Sequence, residues 1–132
     1  MEIKKMKYTK DQQEVVEMTD KDCIFCKIAG GNIPSSTVYE DEQFRVILDL
    51  SPATKGHALI LPKQHYANIF EIDEHVLKDL IVLAKKVATA MKEMLNCDGV
   101  NIVQNNGEVA GQTVFHFHMH IIPRYKDDGQ VI

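Results

Sequence analysis

One seven-residue stretch in the last quarter of this chain carries much of its information, and it reads His116-Phe117-His118-Met119-His120-Ile121-Ile122. Imidazoles alternate with apolar side chains, which is the period of a half-buried β-strand. On such a strand the three histidines project from one face at intervals of about 6.6 Å, and Phe117, Met119 and Ile121 project into a core. A row of imidazoles is suited to binding phosphate, binding metal or moving protons. We therefore interpret the row as a functional feature rather than a chance one.

The composition is that of one soluble globular domain. The chain has 132 residues, of which 45% are hydrophobic and 26% are charged, enough to build a core. A formal net charge of −4 argues against a broad nucleic-acid surface. No apolar run approaches the roughly 20 residues that cross a membrane. With only three cysteines and no apolar leader at Met1, we expect a reduced, cytoplasmic protein.

Polarity divides the chain into an extension and a domain. Residues 1–22 are polar and charge-rich, and their few apolar side chains are too scattered to anchor a core helix. We predict an N-terminal extension there, poorly ordered or forming one short helix. Residues 23–132 form the folded domain.

Periodicity within the domain predicts an α+β fold. A short helical turn ends at the Gly30-Gly31 pair, and one long helix runs over 74–96 with Asp73 as its N-cap. Alternating or continuous apolar runs predict five strands, at 37–39, 44–49, 57–62, 100–105 and 114–123. The short loops favour antiparallel pairing. We expect a five-stranded antiparallel meander with the long helix packed on one face.

A polar loop over 105–113 leads directly into the histidine row. Gly107 and Gly111 allow backbone N–H groups to turn toward a ligand, and Gln112 and Thr113 add side-chain donors. Next to the imidazoles, this loop is typical of half of an anion-binding site. His57 alone would be a surface or capped histidine, and it gains a role only if its strand lies beside the last one.

Two other features leave alternatives open. The Cys23-x-x-Cys26 pair fits a redox pair, half of a structural zinc site, or two small core residues. Without a second such pair, zinc would need two histidines, for which His65 and His116 are candidates. Asp49 ends an apolar strand, where it is either a turn-forming residue or a carboxylate that accepts hydrogen bonds from ribose hydroxyls.

Together these residues resemble the histidine triad family. The row over 116–122 fits the pattern His-φ-His-φ-His-φ-φ at every position, where φ is an apolar residue. The resemblance extends over roughly residues 23–125. Within the family, the chain is similar to the bacterial nucleotide-binding branch that contains zinc. Further matching blocks occur in the family's order: CIFCKI at 23–28, DLSP at 49–52, GHAL at 56–59, PKQH at 62–65 and GQT at 111–113.

The resemblance implies a homodimer that binds purine nucleotides such as AMP, GMP or their conjugates and attacks the α-phosphate. His118 would be the nucleophile, His57 and His120 would hold phosphate oxygens, and Asp49 would hold the ribose. Asn105, Gln112 and Thr113 would complete the phosphate site. The base pocket would be walled by Ile24, Phe25, Ile47 and Leu50. A structural zinc ion, not needed for the chemical step, would bind Cys23, Cys26, His65 and His116.

The expected activity is hydrolysis of nucleoside phosphoramidates or related nucleotidyl conjugates. The alternatives are a dinucleoside polyphosphate hydrolase and a nucleotide-binding interaction module with little turnover. Relatives that transfer nucleotidyl groups usually have glutamine at the third triad position, so His120 argues against them. One departure from the branch is Thr113, which stands where serine is common and keeps the hydroxyl.

Overall fold

The structure is a computed structural model that describes residues 23–132, so the extension predicted over 1–22 lies outside it. The described part has a short helix, a long helix and five strands. In chain order these are α1 (Ile24–Ala29), β1 (Thr37–Glu40), β2 (Phe44–Leu48), β3 (Ala58–Pro62), α2 (Glu74–Leu95), β4 (Gly99–Val103) and β5 (Met119–Arg124), with a 3₁₀ turn at Glu108–Ala110. No helix among the described residues is long and apolar enough to cross a bilayer.

All five strands belong to one antiparallel sheet, in the order β1-β2-β3-β5-β4. The predicted α+β class is confirmed, with one departure from a simple meander: β5 lies between β3 and β4. This order places β3 directly beside β5, with Leu59 opposite His120. His57 precedes Leu59 by two residues and therefore lies on the same face as His120.

The two faces of the sheet are covered by different helices. On one face α2 packs over the main core, which contains Phe44, Ile60 and Leu80. α2 begins after Asp73, whose backbone is extended, and ends at Asn96, which adopts the left-handed conformation with φ of 53°. On the other face α1 packs against a smaller cluster of Ile28, Ala29, Ile47, Leu59 and Leu61. His57 and the histidine row over 116–120 lie on this second face.

The last strand begins later than predicted, at Met119 instead of residue 114. The ladder between β3 and β5 ends at the pair Ile60 and Met119. Beyond it the register would bring Phe117 opposite Pro62, which has no N–H to donate. The Phe117 N–H instead donates to Tyr66 O at 2.6 Å. Phe117 is nevertheless fully buried in the main core. Side chains therefore still alternate between the two faces of the sheet where the backbone pairing with β3 has ended. Every other predicted strand, and the long helix, agrees with the structure within two residues.

Gly56, just before His57, combines a left-handed backbone with a crowded site. Its φ is +93°, and an added Cβ would lie 2.5 Å from Leu95 Cδ1. We expect Gly56→Ala to lower the free energy of unfolding by about 1–3 kcal/mol, since a left-handed conformation is costly for alanine. Urea denaturation at one temperature measures this effect.

Two glycines separate the causes of that loss. Gly107 has the same φ of +93° with no atom within 4 Å of the added Cβ, and Gly99 has no atom within 4 Å and no left-handed backbone. The loss of stability should decrease from Gly56→Ala to Gly107→Ala to Gly99→Ala. An equal loss at Gly56 and Gly99 would contradict the role of the backbone conformation.

Candidate active site and metal centre

The imidazole of His118 is held in one orientation by the backbone. Its ring is buried, and Nδ1 lies 2.8 Å from the carbonyl oxygen of His116. A carbonyl only accepts, so Nδ1 carries the proton and Nε2 carries the lone pair. The ring of Phe25 meets His118 edge-on, with centroids 5.0 Å apart. His118 therefore presents an unprotonated nitrogen on a ring that is fixed from two sides.

His57 and His120 form a hydrogen-bonded chain on the same face. The Ala53 N–H donates to His57 Nδ1 at 3.0 Å, which leaves the His57 proton on Nε2. That Nε2–H donates to His120 Nδ1 at 2.9 Å, so neutral His120 carries its own proton on Nε2. Asp49 Oδ2 lies 3.5 Å from His57 Nε2. The chain ends in an N–H donor on His120, and the His118 and His120 ring centroids are 5.1 Å apart.

All three of these imidazoles are held neutral. Burial lowers the pKa of His118 and of His57 below the ordinary histidine value. Burial, together with the nearby His118 and His57, lowers the pKa of His120 to about 4. The Asp49 carboxylate acts in the opposite direction on each ring without reversing the shift. A neutral imidazole keeps the lone pair that a nucleophile needs.

A second cluster lies at the other end of the histidine row. The ligand atoms of Cys23, Cys26, His65 and His116 all lie within 4.8 Å of one another. His116 Nδ1 is 3.5 Å from Cys23 Sγ and 3.3 Å from Cys26 Sγ, and His65 Nδ1 is 3.0 Å from Cys26 Sγ. Bond lengths of about 2.3 Å for Zn–S and 2.0–2.1 Å for Zn–N place tetrahedral S and N ligands about 3.6 Å apart. The four side chains thus fit a single metal ion after small adjustments.

The protonation states of this cluster also suit a cation. His116 Nε2 lies 2.8 Å from the Pro62 carbonyl oxygen and must donate to it, which leaves the Nδ1 lone pair directed at the sulfurs. A thiol beside an imidazole lone pair becomes the donor set of a Cys₂His₂ metal site when the metal ion replaces the thiol proton.

A third grouping, Asp49 with His57 and His120, has its ligand atoms equally close. It does not fit a metal ion, because the Ala53 N–H keeps the proton of His57 on Nε2, the nitrogen that would have to bind. Proximity alone does not distinguish the two clusters; the position of the imidazole proton does.

The loop before the row is built around Gln112, which is buried. Its Oε1 accepts from Gly107 N at 2.8 Å, and its Nε2 donates to Ala67 O at 2.7 Å and Val114 O at 3.0 Å. The side chain predicted to donate to phosphate therefore has both amide protons committed to backbone carbonyls. In this geometry Gln112 supports the loop, while Thr113 is exposed and Asn105 is half-buried beside it.

The residues predicted to wall a base pocket fall into two groups. Ile47 is buried, and Phe25 is packed against the same small cluster. Ile24 and Leu50 are exposed by 50% and 90%. Apolar side chains at such exposure are available to contact a planar ligand.

The groups missed by the sequence are mainly backbone atoms. The Ala53 N–H and the carbonyls of Pro62 and His116 decide which nitrogen of each imidazole is protonated. Because nearly every residue has these backbone groups, the sequence does not indicate which of them contact a histidine. The contact geometry does.

Comparison with known proteins identifies the family. The family model for the HIT domain matches residues 30–127. The chain belongs to the HIT family. Protein hit of Bacillus subtilis is 50% identical to it over 110 residues, covering 83% of this chain and 76% of that protein. Adenosine 5'-monophosphoramidase HNT1 of Saccharomyces cerevisiae is 42% identical over 113 residues, covering 86% and 69%.

The fold is shared with solved members of the HIT family. A Zn-bound histidine triad family protein from Mycobacterium smegmatis has a TM-score of 0.81 to this structure at 38% identity, covering 86% of this chain and 82% of that chain. The resemblance read from the triad motif and the predicted α+β fold are both confirmed.

The difference between the two histidine clusters predicts where metal binds. Cys26→Ser removes one ligand of the Cys/His cluster, whereas His120→Ala removes one member of the other. We expect purified protein to contain about one zinc per chain, which Cys26→Ser loses and His120→Ala keeps. Elemental analysis with protein quantification measures it. If only His120→Ala lost the metal, the ion would lie at the cluster of Asp49, His57 and His120, and the prediction would be wrong.

Proposed function

We propose that this HIT protein hydrolyses purine nucleoside phosphoramidates or related nucleotidyl conjugates at the α-phosphate. The observation that carries the proposal is the orientation of His118. Its Nδ1–H is committed to the His116 carbonyl at 2.8 Å, so the buried ring offers Nε2 as a nucleophile. The yeast relative that is named an adenosine 5'-monophosphoramidase supports the same substrate class.

The proposed reaction has two displacements at phosphorus. His118 Nε2 attacks the α-phosphorus, the P–N or P–O bond to the leaving group breaks, and the departing amine or alcohol takes a proton from solvent. Water then attacks the phosphorus of the nucleotidyl-imidazole and gives a proton to solvent, which releases the nucleoside monophosphate and restores His118. The ring becomes positively charged in the intermediate, and the His116 carbonyl stabilises that charge through Nδ1–H.

The neighbouring imidazoles supply donors rather than nucleophiles. His120 Nε2–H lies at the end of the chain that begins at Ala53 and passes through His57. A donor held in this way can bind a phosphoryl oxygen as negative charge develops on it. Because burial keeps these rings neutral, donation depends on the direction of the chain and not on a positive charge.

The nucleotide would lie along the face that carries α1. Phe25 lies next to His118 and packs against the cluster that contains Ile47. Ile24 and Leu50, which are exposed, would extend this apolar surface into solvent. Asp49 would accept hydrogen bonds from the ribose. Asn105, Thr113 and the backbone of the loop held by Gln112 would complete the phosphate site.

We further propose that the Cys/His cluster holds zinc as a structural ion. Cys23, Cys26, His65 and His116 would bind it, and the ion would cross-link the start of α1 to the histidine row. A solved relative is described as Zn-bound. The chemistry at His118 would not pass through the metal, since the Nδ1 of His116 that would bind it faces the two cysteine sulfurs.

A homodimer is part of the same proposal. β4 is an edge strand of the described sheet, and its Ile102 is 46% exposed. On α2, Ile81 and Val82 are also about half exposed. These side chains are the natural contacts for a second copy.

The central test of the mechanism is His118→Ala on an adenosine phosphoramidate. Removing the nucleophile should lower kcat/KM by about a thousandfold or more, because the reaction loses its covalent route. His75→Ala is the matched control, since His75 is exposed on the first turn of α2. Full activity in His118→Ala would refute the proposed nucleophile.

The same assay separates the alternatives. Preferred turnover of a diadenosine polyphosphate over the phosphoramidate would favour the dinucleoside polyphosphate hydrolase. Tight AMP binding with no product from either compound would favour the interaction module.

The lowered histidine pKa values predict the acid side of the pH profile. Neutral rings are needed, and the pKa of His120 is about 4 while that of His57 also lies below its ordinary value of 6.5. We expect kcat/KM to stay level as pH falls from 8 through about 6.5 and to decline only below that value.

Stability must be followed in parallel, because the same shifts affect it. Below about pH 6.5 the histidines of the unfolded chain bind protons, whereas these buried rings in the folded protein do not. The free energy of unfolding therefore falls as pH falls toward the histidine pKa values of the folded protein. Circular dichroism at each pH shows that the protein assayed is folded. An acid limb centred near 6.5 in folded protein would contradict the neutral-ring mechanism.

A further inference from the structure

Thr54 is a buried side chain in the loop between β2 and β3, and nothing in the triad pattern refers to it. Only 8% of its surface is exposed, although the residues around it are polar or half-exposed. Its hydroxyl donates to the carbonyl oxygen of Pro123 at 2.5 Å. A buried hydroxyl with one committed acceptor is a specific contact, because losing the donor leaves the carbonyl without a partner.

The contact takes the place of a backbone hydrogen bond between the continuations of β3 and β5. β3 and β5 pair with Ala58 opposite Ile121, so continuing the register would bring Gly56 opposite Pro123. The backbone leaves the ladder at this point: Gly56 adopts φ of +93° and is not part of β3. The Thr54 hydroxyl thus occupies the place of a backbone donor and joins the loop to β5.

The backbone on either side of the Thr54 side chain contacts His57. The Thr54 carbonyl accepts from His57 N at 3.2 Å. The N–H of the preceding residue, Ala53, donates to His57 Nδ1 at 3.0 Å. Pro123 follows His120 on the same strand, so one hydroxyl connects the segment that orients His57 to the strand that carries His120.

We propose that Thr54 is a positioning residue, which fixes the tautomer of His57 and through it the direction of the hydrogen bond to His120. With the loop held against β5, the Ala53 N–H is aimed at His57 Nδ1, and the proton of His57 is confined to Nε2. Without the hydrogen bond from the Ala53 N–H, the proton of His57 can lie on either Nδ1 or Nε2. A His57 ring protonated on Nδ1 would accept a hydrogen bond from His120 instead of donating one to it. His120 would then carry its proton on Nδ1 and lose the donor that faces the phosphate. The kinetic part of this argument rests on the proposed function.

The loop has a second connection that serves as a control. Tyr125 donates its hydroxyl to the Lys55 carbonyl at 2.9 Å, in an exposed position after β5. This bond joins the same loop to nearly the same part of the chain. It involves neither of the peptide groups that contact His57, so its loss should leave the imidazole unaffected.

The experiment compares Thr54→Val, Thr54→Ser and Tyr125→Phe with the wild type in the zinc-loaded full chain. Valine keeps the shape of threonine without its hydroxyl, and serine keeps the hydroxyl. Protein labelled with ¹⁵N in histidine reports which ring nitrogens are protonated. Hydrolysis of an adenosine phosphoramidate reports kcat and KM separately.

We expect His57 to be a single Nε2–H tautomer in the wild type, in Thr54→Ser and in Tyr125→Phe. In Thr54→Val the His57 and His120 signals should show averaged protonation, while those of His118 stay unchanged. The value of kcat should fall roughly ten- to a hundredfold, the range for a slightly misplaced catalytic group, with KM changed little. Thr54→Ser should recover most of kcat.

Three results would overturn the proposal. The first is unchanged tautomers and kcat in Thr54→Val. The second is a shift of all histidine signals together, which would mean a general loss of packing. If Thr54→Val does not fold, Thr54→Ala is measured in its place, and failure of both variants to fold would have the same meaning. The third is an equal effect of Tyr125→Phe. If the wild type fails to turn over the phosphoramidate, the proposed function fails, and the tautomers alone still decide the role of Thr54.

Discussion

A neutral imidazole has one proton for two nitrogens, and every property of this site depends on which nitrogen carries it. The backbone makes that choice. The His116 carbonyl draws the proton of His118 to Nδ1, and the Pro62 carbonyl draws that of His116 to Nε2. Two neighbouring members of one row therefore carry their lone pairs on opposite nitrogens. One is available for chemistry at phosphorus, and the other is directed at two sulfurs.

Much of the architecture could be predicted because it follows from side-chain periodicity. Alternation over 116–122 assigns Phe117 and the apolar residues after it to the core whether or not the ladder forms, since an extended backbone alternates sides either way. The start of β5 could not be predicted, because it depends on a proline in β3 that is distant in sequence. The place of β5 between β3 and β4 was equally hidden, because short loops favour neighbours along the chain.

The site divides along the same line. Residue types and spacing were enough to select the histidines and the cysteine pair, because few other side chains perform their chemistry. The role of Gln112 could not be read in this way, since an amide can bind phosphate or backbone equally well. Its buried position and three backbone contacts favour support of the loop. The tautomers were also inaccessible, because they depend on N–H and C=O groups that every residue has.

Two prolines link these observations. Proline is uncommon inside central strands because it cannot donate to the ladder. Here Pro62 ends β3, and Pro123 lies next to the end of β5, where the pairing of these two strands has already stopped. In both places a side chain donates to the proline carbonyl: His116 to Pro62, and Thr54 to Pro123. The interrupted ladder thus provides the acceptors that hold the two ends of the site, the proposed metal-binding end through His116 and the proposed phosphate-binding end through the loop before His57.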